Sequence, residues 1–185
     1  MTILSVPMTV AEFDQFILLP EQSDATFEFI VGEMYQKMPS NAYSSEIAFR
    51  IGRLVGNFIA DNDLGRATGE GGGYQIGAGE RYAPDFAFVS KERQAELTRK
   101  GYNNIPPDLA IEVEYPTSAE SEKRLRYKIM NYLQAGTVVW VVYPETKTIE
   151  IYIPNQPVQF LSETDTLTGG EVLKGFSLPV RDIFK

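Results

Sequence analysis

The sequence contains no cysteine and no histidine. Without cysteine there is no disulfide, no zinc-thiolate centre and no thiol nucleophile, and nothing points to an oxidising compartment. Without histidine the commonest general base and the commonest transition-metal ligand are missing. Any catalysis then falls to carboxylates, lysine, tyrosine or a bound hard metal ion. Long apolar runs are also missing. The longest, Val138 to Tyr143, is far too short to cross a bilayer, and MTILSVPMTVAEF at the start lacks the basic stretch and apolar core of a signal peptide. The expectation is a soluble, cytoplasmic protein with no membrane partner. Positive charge is in deficit too: a net charge of −8 repels polyanions at long range and counts against generic nucleic-acid binding.

What is present suffices for one domain spanning 1–185. The chain is 43% hydrophobic, long enough to bury a substantial core, and no repeat, linker or low-complexity tract divides it. Its cations are unevenly spread. Lys123, Arg124, Arg126 and Lys128 fall within six residues, and Lys91, Arg93, Arg99 and Lys100 within ten. Taken alone, each cluster reads as a solvated helix face.

Thr9 and Glu12 have capping-box spacing ahead of Phe13, Phe16 and Ile17, which predicts a short helix ending before Pro20. TFEFIV and EMYQKM alternate in polarity around Gly32 and read as a hairpin. From about Ser44 to Asn62, Ile47, Ile51, Leu54, Val55, Phe58 and Ile59 recur at helical spacing and predict an amphipathic helix of about five turns. GEGGGYQIGAGE then holds six glycines in twelve residues. No Lys-Ser or Lys-Thr pair follows it and no helix opens, so it reads as a mobile hairpin or lid rather than a phosphate cradle. APDFAFV is expected as a strand, Glu92 to Lys100 as a short polar helix, and DLAIEVEY as a strand after Pro106 and Pro107. Ser118 to Ala135 reads as a helix closed by Gly136. TVVWVVYP has the unbroken apolar run of a strand covered on both faces, and TIEIYIP should pair beside it. The tail, from Leu167 to Phe184, reads as short strands and turns sealing one edge. The sum is an α/β sheet covered on both faces.

Two acids stand out in these strands. Alternate residues share a face, so Ala110, Glu112 and Glu114 lie on one side and Leu109, Ile111 and Val113 on the other. A glutamate in mid-strand costs several kcal/mol if buried unpaired, so Glu112 needs a cation. Asp85, at the start of DFAFV, raises the same question. If the strands are neighbours, Asp85 and Glu112 converge on a hard-oxygen site suited to magnesium or manganese. The alternative is that each acid pairs with an arginine or lies at an exposed strand end. On the helix 118–135, with Leu125 at zero and ~100° per residue, Lys128 falls near 300°, at the margin of the core-facing stripe, and Lys123 near 160°. Lys128 can therefore reach inward, or else lie along the surface as an ordinary snorkelling lysine.

Pro84-Asp85, followed 27 residues later by Glu112-Val113-Glu114 in an apolar strand, resembles the PD-(D/E)XK nuclease signature. Within that signature the chain more closely resembles one branch, the Uma-two family of restriction-endonuclease-like proteins. Its features appear in order as FEFIVGEMYQKMP, APDFAFV, PPDLAIEVEYPTS, KIMNYLQAGTVVWVVYPETKTIEIY and GGEVLKGFSLPV, over about residues 8 to 184. The resemblance implies a restriction-endonuclease-like core, with a mixed β-sheet flanked by helices, and Mg2+- or Mn2+-dependent cleavage of phosphodiester bonds in nucleic acid, most naturally DNA. Position by position, Asp85 and Glu112 match the metal-binding acids, with the Val113 carbonyl beside them. Lys128 matches a lysine displaced from the strand onto the next helix. Glu33 matches an acid of the first hairpin. Lys123, Arg124 and Arg126 then gain meaning as a phosphate rail, and a homodimer follows by analogy with folds that cut both strands. The chain departs from the pattern twice: Glu114 stands where the plain motif has lysine, and Tyr43, Ser44 and Ser45 stand where a histidine is common. The rival readings are a degenerate nuclease fold that binds nucleic acid or a protein partner, and a structural or oligomerisation domain in which the acids are merely paired.

Overall fold

The computed structural model describes residues 2–4, 8–115 and 118–185. Pro116 and Thr117, within the segment PPDLAIEVEYPTS, lie outside them, as does part of the amino-terminal stretch. The chain runs through β1 (Thr2–Leu4), α1 (Val10–Phe16), β2 (Phe27–Ile30), β3 (Glu33–Gln36) and α2 (Ala42–Asp61). It continues through β4 (Gly65–Gly69), β5 (Tyr74–Ile76), β6 (Glu80–Tyr82), β7 (Phe86–Ser90) and β8 (Leu109–Val113). Then come α3 (Ala119–Gln134), β9 (Val138–Tyr143), β10 (Thr148–Tyr152), β11 (Gln159–Leu161), β12 (Thr166–Thr168) and β13 (Ser177–Pro179).

Local chemistry sets the helix ends. Thr9 and Glu12 close the capping box that starts α1. Asn41 accepts from the Ser44 amide to start α2, and Ser118 caps α3. Gly136, at φ 84°, ends α3 in a conformation that a side chain would strain.

Six strands form a central mixed sheet in the order β11-β10-β9-β8-β7-β4, with only β8 and β9 parallel. Strand alternation divides the core in two. Phe86, Phe88, Leu109, Ile111, Trp140 and Val142 face α2, where Ile47, Ile51, Val55 and Ile59 meet them together with the tail residues Leu167, Leu173 and Phe176. Ala87, Val89, Ala110, Val139 and Val141 face the other way, towards Leu125, Ile129 and Tyr132 of α3. β9 is apolar throughout because both its faces are covered. On the α3 side a second, antiparallel sheet, β1-β3-β2-β6-β5, completes the layer. α1 is fixed to it by buried Phe13 and by the two-pronged Arg81–Asp14 pair, each contact 2.8 Å.

One expectation fails locally. Residues 92–100 form turns and bends rather than a helix, because Arg93 is drawn to Asp108 at 2.8 Å and Arg66 holds the Ala95 carbonyl at 3.0 Å. The glycine-rich segment spans the end of β4, β5 and the start of β6, and its Glu70 lines a cavity together with Asp85 and Glu112. Tyr74 and Ile76 are buried, and the Tyr74 hydroxyl bonds Thr68 at 2.9 Å.

Candidate active site

The antiparallel register of β7 and β8 pairs Phe86 with Ile111 and Ala87 with Ala110. Continued one step, it sets Asp85 opposite Glu112 on the α3 side of the sheet. Asp85 Oδ2 accepts from the Val113 amide at 2.7 Å, which ties the two strand ends together. Asp85, Glu112 and Val113 all line one cavity of about 160 Å3.

Two lysines and a third acid complete the cluster. Lys128 is buried, and its Nζ lies 2.8 Å from both Glu112 Oε1 and Glu28 Oε1. It is therefore an ion-paired core residue, not a snorkelling one. Tyr132, one turn further along α3, donates to Glu112 at 3.3 Å. Glu28, in the middle of β2, is fully buried. Lys37, just past β3, reaches Asp85 at 3.0 Å. Glu28 and Lys37 also clamp Ala83, where the chain crosses between the sheets. Glu28 accepts the Ala83 amide and Lys37 donates to its carbonyl, both at 2.9 Å.

Electrostatics follow from burial and unequal charge. Burial pushes the Glu112 carboxyl up to about 8; Lys128 pulls it back, while Glu28 and Asp85 add to the rise. Burial works against the Lys128 ammonium, yet Glu112, Glu28 and Glu114 outweigh it and hold Lys128 well above its ordinary value. The two shifts have one origin, a carboxyl and an ammonium buried together beside further acids. Burial raises Glu114 as well, against the pull of Lys128.

The other sequence candidates scatter. Glu33 does not join the site. It shares the Glu28 face of the hairpin but sits at the exposed turn end, accepting from the Tyr35 hydroxyl. Glu28, five residues earlier, takes the buried place. The argument applied to Glu112 reveals it: Glu28 is an acid in the middle of the apolar strand FEFI. Of the basic rail, only Arg124 faces the cleft next to Lys128, with its guanidinium 5.1 Å from the centre of the Tyr35 ring. Lys123 lies over Tyr127, and Arg126 pairs with Glu122 at 3.0 Å on another flank. At ~100° per residue, successive side chains cannot share one face. Lys37 carries no signal in the sequence, since only the pairing of β3 beside β2 brings it to Asp85. Ser44, at the start of α2 where the family pattern commonly has a histidine, lines the cavity.

The family model described as "Uma2: Putative restriction endonuclease" matches residues 11–181. The chain belongs to the Uma2 family. A crystal structure described as a "putative nuclease belonging to DUF820", from Anabaena variabilis, superposes with a TM-score of 0.79 at 23% identity. The match covers 96% of this chain and 98% of the other, and establishes a common fold. None of the curated proteins matches the chain. No helix among the described residues is long and apolar enough to cross a membrane.

For a Uma2 chain the donor set bears on whether a metal ion suits the site. Among the described residues no three acids converge into a ready-made cage. Magnesium does not need one, since one or two carboxylates, water and a substrate phosphate suffice. Four buried or half-buried carboxylates (Glu28, Asp85, Glu112 and Glu114) face two ammoniums (Lys37 and Lys128) around the cavity. With exposed Glu70 on the same cavity wall, full ionisation leaves an excess of negative charge that a divalent cation would offset. Glu28 Oε2 is buried without a hydrogen-bond partner, a further sign that the cluster has capacity for a cation. The residues fit such an ion.

Proposed function

We propose that this Uma2 chain is a metal-dependent endonuclease that hydrolyses phosphodiester bonds in nucleic acid. The observation that carries the reading is the convergence of Asp85 and Glu112 at one end of β7 and β8, with the Lys128 ammonium 2.8 Å from Glu112. Asp85, Glu112 and the Val113 carbonyl would hold Mg2+ or Mn2+. Bound there, the ion supplies Lewis-acid stabilisation of the phosphate and a water of lowered pKa. Lys128 orients the attacking water or offsets charge gathering on the phosphate oxygens. Burial keeps bulk water from screening these charges, which strengthens both effects.

The test is cleavage of single- and double-stranded DNA and RNA with magnesium and with manganese. Wild type should cut at least one of them, and Asp85→Asn and Glu112→Gln should each lose about a hundredfold or more. No cleavage of any substrate with either metal would end this reading.

One observation favours a second reading, a degenerate nuclease fold that only binds. Both Asp85 oxygens are already engaged, by Lys37 and by the Val113 amide. An inactive chain that binds nucleic acid equally well with and without Asp85 would establish it.

A further inference from the structure

α2 buries Ile47, Ile51, Val55 and Ile59, and at ~100° per residue Phe49 stands on the opposite side, 72% exposed. An isolated exposed aromatic is unremarkable. This one, however, borders a cavity. Phe49 and Arg53, one turn apart, form one wall of a groove of about 490 Å3, and the end of β4 forms the other. The groove shares Ala48, Glu70 and Asp85 with the cavity over the acid–lysine cluster. That cavity in turn shares Glu28 and Lys128 with a third, of about 310 Å3, reaching Arg124. The three make one furrow across the molecule, with the cluster at its centre.

The furrow holds acids at its centre and an arginine at each end. Many surface cations are taken up by acids: Arg50 by Glu46, Arg66 by Glu96, Lys91 by Asp63, Arg126 by Glu122. Among the described residues neither Arg53 nor Arg124 has an acidic partner, and they stand at the two ends of the furrow. Two free arginines, an aromatic face and a central hydrolytic cluster fit a polyanion with π faces. A duplex fits badly. It needs many phosphate contacts to overcome the net charge of −8, and its paired bases offer no face to Phe49. The carboxylate of Glu112, 2% exposed, also lies too deep for a stiff helix. A flexible strand can dip to it.

We propose that the furrow binds single-stranded nucleic acid, with one unpaired base stacked on Phe49, a phosphate beside it at Arg53, and another phosphate at Arg124 at the far end. This rests on the nuclease reading for the central cavity, but binding is tested separately from cleavage. Fluorescence anisotropy is measured with labelled oligo(dT), oligo(U) and a duplex of equal length, at low salt with EDTA. Single strands should bind about tenfold or more tightly than duplex, the two oligonucleotides showing whether the sugar matters. Phe49→Ala should weaken single-strand binding about tenfold, the size of one lost base stack. Phe49→Trp should keep the affinity, and its fluorescence should be quenched as oligonucleotide is added. Phe160→Ala, which removes an aromatic that is also exposed but lies on β11 at the far edge of the sheet, should change nothing. Duplex binding as tight as single-strand binding, no binding at all, or equal effects of the Phe49 and Phe160 changes would overturn the proposal. Because no divalent ion is present, that failure leaves the hydrolytic reading intact. A chain that binds as described but never cuts loses only the hydrolytic reading.

Discussion

The Lys128 ammonium on α3 lies 2.8 Å from Glu28 on β2, a hundred residues away in the chain, and the same ammonium serves Glu112 on β8. This shared ion pair joins the two sheets through the helix between them. Removing its cation leaves two buried carboxylates facing each other, so Lys128→Ala should lose about 3–5 kcal/mol of stability. Pairing the change with Glu28→Gln should restore part of it. Urea denaturation of the single and double variants measures the coupling, and purely additive losses would mean that the pair is not shared as described.

The metal-free protein should lose stability as pH rises from about 5 to 8. Burial keeps Glu112 protonated in the folded chain up to about 8, whereas the unfolded chain releases that proton near 4.5. Across this window the native state binds more protons, so each rise in pH favours unfolding. Stability from this group is fully present below the unfolded value and gone above the folded one. Glu112→Gln cannot titrate and should flatten the slope. Melting curves in EDTA at several pH values read it directly, and identical slopes for both proteins would count against the assignment.

Manganese should raise the melting temperature of wild type at pH 8, since a ligand at 100 times its dissociation constant adds ~2.7 kcal/mol. Asp85→Asn should respond far less. Lys37→Met should bind manganese more tightly than wild type, by about tenfold, because Lys37 now occupies Asp85 at 3.0 Å and repels a second cation. Calorimetric titration of the three proteins tests the order, and weaker binding by the Lys37 variant would refute it.

Arg124 and its neighbours separate cleft chemistry from general basicity. Arg124→Ala should lower nucleic-acid affinity and reduce its salt dependence by about one phosphate contact. Lys123→Ala and Arg126→Ala, on other flanks of α3, should do little. Affinity measured between low and moderate salt distinguishes them, and equal losses in all three would restore the rail as first read from the sequence.

The glycine-rich segment should tolerate change unevenly. A Cβ at Gly73 would come within 2.6 Å of the Tyr102 ring, which is held by a hydrogen bond to the Phe27 carbonyl and by edge contact with Phe13. Gly73→Ala should therefore cost about 1–3 kcal/mol. A Cβ at Gly69 meets nothing within 4 Å, so Gly69→Ala should leave the melting temperature nearly unchanged. A mobile lid would show no such contrast.

The sequence by itself determined the elements whose cause is local. Capping residues, three- and four-residue periodicity and strand alternation fix α1, α2, α3 and the central strands, because each depends on neighbours a few residues apart. The same alternation put Glu112 on one face with Ala110 and Glu114, and helix geometry put Lys128 at the margin of the core-facing stripe, free to turn either way. Glu28 was equally legible, as a mid-strand acid among apolar residues, whereas Glu33 drew notice only through a motif. Tertiary structure alone decided the partners. That Lys37 faces Asp85, that Glu28 and Glu112 share one lysine, and that Arg124 joins the cleft while Lys123 and Arg126 do not depend on how two sheets and a helix pack. Those contacts span up to a hundred residues of chain. Charge pairing acts through space, and no spacing along the sequence encodes which distant cation arrives.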